Sequence, residues 1–198
     1  MNNLTRRATL AGLVATMGLT TTPALALSTG DARALINEVV AKINSVINSG
    51  KSESAMYRDF EVLFNRYADV PTISRSALGP PARSASSQQL KQFSDAFAGY
   101  LARKYGKQFR DFIGGEIVVE SARQIKSFQE VQAVAKLRGQ APFAVTFMVS
   151  DRSGSDLFFD LLIEGISLLK SERAEIGAML DKRGGNIDTL IRDLKTAG

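Results

Sequence analysis

Asp160 and Glu164 are two carboxylates inside the stretch FFDLLIEGISLLKSERAEI, residues 158–176. Phe158, Phe159, Leu161, Leu162, Ile163 and Ile166 surround them. Two carboxyls in apolar surroundings are what general acid–base chemistry uses, because burial pushes their proton affinities apart. On a strand, residues four apart share a face, with Cα atoms roughly 13 Å apart at ~3.3 Å per residue. Retaining glycosidases hold their carboxyls at about 5.5 Å and inverting ones at about 6.5–9.5 Å. The spacing is therefore poor for a cooperating pair, and bland roles suit both residues better. Glu164 stands where a strand turns into a helix, with Gly165 at the corner, and can accept backbone N–H bonds at the helix start. Asp160 can bond a neighbouring strand, Ser or Arg side chain.

The remaining composition narrows the chemistry further. The 198 residues contain neither Cys nor His. Their absence removes disulfides, thiol nucleophiles, thiolate metal sites, and the commonest general base and metal ligand. No EF-hand loop, nucleophile elbow, phosphate-binding loop or dinucleotide-binding glycine pattern occurs. No catalytic residue and no metal ligand is assigned, and no cofactor is expected.

The elements that must position these residues read as helices, then strands, then helices. Ala32, Leu35, Ile36, Val39, Val40, Ile43, Val46 and Ile47 recur at helical spacing and predict a helix over 31–49, capped by Ser28 or Asp31. A second helix over 53–68 carries Met56, Phe60, Leu63, Phe64 and Tyr67. A short helix over 71–78 precedes Gly79-Pro80-Pro81. Ser86 and Gln89 have capping-box spacing and open a long helix over 87–112. Leu90, Phe93, Phe97, Tyr100, Leu101, Tyr105, Phe109 and Phe112 form its apolar face. Beyond Gly114-Gly115 the period changes to two. Ile117 and Val119, then Val131 to Leu137, then Phe143 to Val149, then Leu157 to Ile163 predict four strands. Turns near Gln129, at 139–142 and at 151–154 join them into an antiparallel meander. Helices over 166–182 and 187–196 close the chain. The fold class is α+β: a four-stranded antiparallel sheet packed against a mostly helical layer, with an apolar cavity between them.

Residues 1–26 read as a cleaved export signal. Arg6 and Arg7 precede an uncharged stretch that ends in Ala24-Leu25-Ala26, an A-x-A cleavage site. Thr5-Arg6-Arg7-Ala8-Thr9-Leu10 resembles a twin-arginine motif, with Thr9 where Phe is usual, so both the Sec and the twin-arginine routes stay open. Residues 27–198 form a single domain outside the cytoplasm. Cleavage removes two Arg and no acid, taking the formal charge from +5 to +3. No basic cluster with interleaved aromatics points to nucleic acid.

Three stretches together resemble the MlaC family of periplasmic phospholipid-binding proteins: YADVPTISRSALG (67–79), QLKQFSDAFAGYLARKYGKQF (89–109), and the stretch 158–176 with the late GGNIDTLIRDL. The third carries Asp160, then Ile163-Glu164-Gly165-Ile166-Ser167-Leu168, then Arg173 at the family's spacing. Departures are Pro80-Pro81 and the Leu157 region, where Trp is usual, and Ser171-Glu172, where an aromatic before the Arg is common. The resemblance implies a monomeric carrier whose cargo is a phospholipid. Its implied partners are an inner-membrane transporter complex of the ATP-binding-cassette type and an outer-membrane lipoprotein/porin complex. The candidate lipid-binding wall is Phe93, Phe97, Tyr100, Leu101 and Tyr105 on the long helix, with Phe143, Val145, Phe147, Phe159, Leu161 and Ile163 on the strands. Leu78 and Ile166 are expected at the mouth. Two rival readings are a cavity-containing hydratase- or isomerase-like enzyme, with Asp160 on the face opposite Phe159 and Leu161, and an envelope adaptor without ligand.

Overall fold

A computed structural model describes residues 27–198, with the backbone alone at residues 108–110. The expected export signal and the side chain of Phe109 lie outside the described residues.

Among the described residues the order is α1 (Thr29–Ile47), α2 (Glu53–Tyr67), α3 (Val70–Leu78), α4 (Ser87–Gly106), β1 (Glu116–Ile125), β2 (Phe128–Lys136), β3 (Phe143–Ser150), β4 (Leu157–Ile163), β5 (Ile166–Ser167), α5 (Leu168–Asp181) and α6 (Ile187–Leu194). The five strands form one open antiparallel sheet in the order β1-β2-β3-β4-β5.

The caps follow the sequence. Ser28 accepts the Asp31 N–H to start α1, and Ser86 and Gln89 close a full capping box on α4. Each cap satisfies orphan donors and contributes about 1 kcal/mol. The expected helix over 87–112 is shorter: α4 ends at Gly106, and residues 107–112 tighten into a 3₁₀ turn. Gly106 lies flush against the Tyr57 ring of α2, where a Cβ would stand 2.5 Å from the ring.

Two large hydrophobic cores form side by side, with a smaller third around Ile47, Met56 and Phe60. One packs α3, α4, α5 and α6 around Phe93, Phe97, Ile176, Leu190 and Leu194. The other packs α1 on one sheet face through Ile36, Val39 and Val40 against Val131, Val145, Phe147 and Val149. The sheet thus has a covered face and a face rich in polar side chains, which produces the period of two.

Three expectations are sharpened or corrected here. The β1–β2 turn, expected at Gln129 or nearby, falls at Lys126-Ser127. Gln129 is a buried strand residue that accepts the Thr29 hydroxyl at 2.9 Å and donates to the Leu27 carbonyl at 2.9 Å. The last helix pair begins at Leu168 rather than 166, because Ile166 and Ser167 fold back as a fifth strand. Glu164 and Gly165, at φ 49° and 77°, make the two-residue turn that permits this return. Finally, the strict alternation expected along β4 is broken. The register slips between Met148 and Val149, so Ile163 pairs Val145 and Leu161 pairs Phe147, but Phe158, not Phe159, pairs Val149. A bulge of one residue reverses the parity of everything beyond it.

Candidate functional site

At the seam between the two cores lies a pocket of about 230 Å³. Helix α4 contributes Phe97, Leu101, Ala102 and Tyr105, and the sheet contributes Val145, Phe147, Phe158, Phe159, Leu161 and Ile163. Residues 97, 101 and 105 are successive i, i+4 neighbours, so one stripe of α4 meets the pocket.

Of the expected wall, Phe97, Leu101, Tyr105, Val145, Phe147, Phe159, Leu161 and Ile163 meet there. Phe93 sits one turn beyond the stripe, fully buried and stacked on Phe97 at 5.5 Å within the helical core. Tyr100 lies on the adjoining stripe, buried, with its hydroxyl donating to Glu175 Oε1 at 2.6 Å. Phe143 stands behind the wall, edge-on to the pocket residue Phe112 at 6.1 Å. Of the two residues expected at the mouth, Leu78 is buried in the helical core and Ile166 is 65% exposed at the β4–β5 turn; neither is among the lining residues. Phe159, the residue displaced by the bulge, lines the pocket and also meets Phe128 edge-on at 5.6 Å.

Sequence reasoning overlooked the wall supplied by α1 and α2. Val39 and Ile43 of α1, and Phe60, Leu63 and Phe64 of α2, line the same space. Their apolar stripes are plain in the sequence, but which stripe borders a void depends on how the helices cross. Phe158 was missed because of the bulge. Its ring lies edge-on to both Phe64, at 6.1 Å, and Phe147, at 5.9 Å.

Asp160 and Glu172 bring carboxylates to this apolar lining. Asp160 Oδ1 accepts the backbone N–H groups of Leu161 at 2.8 Å and Leu169 at 3.0 Å, and Oδ2 accepts the Ser167 hydroxyl at 2.5 Å. The Ser167 hydroxyl in turn accepts the Lys170 N–H at 3.1 Å. Asp160 therefore ties β4 to the first turn of α5. Glu164 does not serve the helix start as expected; its carboxylate accepts the Ala144 N–H of β3. Arg173 places its guanidinium against the Gly79 turn after α3.

Glu172 is only 2% exposed. Its Oε1 accepts from Lys104 Nζ at 2.6 Å and from the Tyr105 hydroxyl. Its Oε2 is buried and has no donor. Lys104 also donates to Glu175 Oε2 at 2.5 Å and lies over the rings of Tyr100 and Tyr105 at 5.4 and 5.3 Å. Burial alone would lower the Lys104 pKa, but its bonds to Glu172, Glu175 and Tyr100 outweigh burial and raise it above the usual lysine range. Burial, with the bond to Glu172, raises the Tyr105 pKa. The bonds from Lys104 and Tyr100 lower that of Glu175. Among the described residues no cluster of three or more acidic side chains could hold a metal ion, and no helix is long and apolar enough to cross a membrane.

An open antiparallel sheet and a helical layer with an apolar pocket in their seam define a class of protein built to shelter apolar ligands. The chain belongs to the MlaC family: the family model described as MlaC protein matches residues 34–196. No curated protein matches it. Its fold is similar to that of the phospholipid-binding protein from Ralstonia solanacearum, solved in complex with a phospholipid. That match has a TM-score of 0.71 at 19% identity and covers 82% of this chain and 94% of the other.

Proposed function

We propose that this chain carries phospholipid across the periplasm, holding acyl chains in the pocket between α4 and the sheet. MlaC proteins are periplasmic lipid carriers rather than enzymes. One observation carries the assignment of the site: a pocket at the seam of two cores whose wall is apolar on nearly every side. The proposed partners are an inner-membrane transporter complex of the ATP-binding-cassette type and an outer-membrane lipoprotein/porin complex. The proposed export signal is residues 1–26. Leu27 suits a new N-terminus, since its backbone N donates to Asp151 Oδ2 at 2.9 Å. Cleavage turns that amide into an ammonium and strengthens the bond.

Energetics dictate how such a carrier works. Burying a CH₂ gains about 0.8 kcal/mol against water. Two tails of ~15 such groups would gross roughly 24 kcal/mol, beyond the practical ceiling of about 18–21 kcal/mol for any complex. Release into water is negligible on that scale. Exchange with a bilayer trades one apolar medium for another and is nearly neutral. Hand-over therefore requires contact with a partner, and the partners set the direction.

The pocket volume adds a second requirement. About 230 Å³ lies below the ~300–1,000 Å³ typical of pockets that enclose a drug-sized ligand. Two tails enter only if the walls part. The lining comes from cores that pack largely apart and are bridged by Phe158, so widening the seam leaves most of each intact.

Leu101→Asp tests the site. Leu101 is half-buried on the pocket stripe of α4. A carboxylate there faces acyl chains, and uptake from liposomes is expected to fall about tenfold or more. Circular dichroism and thermal melting run in parallel. A folded variant that loads as well as the parent would overturn this choice of pocket.

A further inference from the structure

Apart from Asp160, whose two oxygens both accept hydrogen bonds, the charge on the lining sits where α5 faces α4. There Glu172 of α5 faces Lys104 and Tyr105 of α4. It is 2% exposed, it lines the pocket, and Oε2 has no hydrogen-bond donor while Oε1 has two. A buried carboxylate oxygen without a donor is destabilising, by an amount comparable to a lost hydrogen bond. A ligand able to donate there would relieve that cost.

The charge around it says what kind of donor fits. Lys104 is the cation of the cluster and is shared between two carboxylates, Glu172 and Glu175. One ammonium against two carboxylates leaves the cluster net negative. A cationic N–H donor is favoured over a neutral hydroxyl, because both bonds to the carboxylate are charge-assisted but only the cation adds Coulomb attraction to the net negative cluster. The position also suits a headgroup. Glu172 is buried, but Glu175, one turn on, has a side chain 47% exposed, so the cluster runs from the pocket to solvent. Tails directed into the apolar lining leave the polar end of a lipid beside Glu172.

We infer that Glu172 is a headgroup subsite whose free oxygen selects phospholipids bearing a primary ammonium, the ethanolamine type. A phosphocholine headgroup has the same net charge but no N–H to donate. A phosphoglycerol headgroup has hydroxyl donors but is anionic, and the net negative cluster disfavours it. The inference rests on the carrier function proposed above, and it adds cargo selectivity to a lining that could otherwise take any pair of tails.

Competition between vesicle lipids tests it. The purified protein is loaded from vesicles holding equal amounts of ethanolamine, choline and glycerol phospholipids with identical acyl chains, then extracted and weighed by mass spectrometry. Enrichment of the ethanolamine lipid by about fivefold or more over each of the others is expected for a charge-assisted bond. Glu172→Gln, which keeps an acceptor for Lys104 and Tyr105 but removes the charge, should bring the ratios to within about twofold. Parity between ethanolamine and choline lipids in the parent protein, or an excess of the glycerol lipid, overturns the subsite and leaves the carrier function standing. No uptake of any lipid overturns the carrier function itself. The parent ratio needs no substitution, so poor folding of the variant does not rescue the idea.

Discussion

Asp160 and Glu172 are two carboxylates on the wall of one apolar pocket, and they are treated in opposite ways. At the Asp160 corner both oxygens are used: two backbone N–H groups and a Ser167 hydroxyl converge on them, all from β4, β5 and the start of α5. At Glu172 one oxygen holds Lys104 and Tyr105 from the facing helix, and the other holds nothing. The first pattern belongs to a carboxylate that terminates a strand and starts a helix. The second belongs to one held ready for something else. Burial and apolar neighbours alone do not separate a strut from a site; the count of donors on each oxygen does.

The largest expected effect is at the strut. Asp160→Ala leaves the Leu169 N–H without an acceptor in the first turn of α5 and frees Ser167. A loss of about 3 kcal/mol in urea denaturation is expected, since each buried unsatisfied group costs about 1–3 kcal/mol. Glu172→Gln should cost about 1 kcal/mol or less, because Lys104 keeps Glu175 and the uncompensated oxygen loses its charge. Equal losses in the two variants would erase the distinction.

A smaller effect separates the two regions by pH. Glu175 has a lowered pKa in the fold, so its contribution is complete above pH about 4.5 and is lost as pH falls through its folded pKa. The Lys104 pKa is raised, so its contribution is complete below pH about 10 and is lost only as pH rises through the folded value. Lys104→Met should therefore flatten the acid side of the stability profile measured by urea titration between pH 3 and 7, by about 1 kcal/mol. An unchanged acid slope would mean that Lys104 does not hold Glu175.

Much of this was legible in the sequence because local rules and the fold agree. The stripes of α1, α2 and α4, the Ser86–Gln89 box and the switch from a period of 3.6 to one of two fix the α+β class. The aromatic helix and the β3 face give a pocket between helices and sheet. What was not legible depends on events with no local signature. A single bulge beside Val149 brings Phe158 to the wall alongside Phe159, because a period of two carries no memory across an extra residue. The wide apolar face of α4 touches α2, α3 and α6, so pattern alone does not say that Leu101 borders the pocket while Phe93 packs in solid core. Glu172 stands out in the sequence only as part of the Ser171-Glu172 departure from the family pattern. Only the approach of α4 makes it buried, and only the donor count makes it notable.

The central claim is that the seam between the two cores holds lipid tails, and its most direct test is to extract the purified protein with solvent and identify what it carries by mass spectrometry. The account predicts phospholipid at close to one molecule per chain, or loading to that level from liposomes. Protein that carries no lipid and takes none up from liposomes would contradict it.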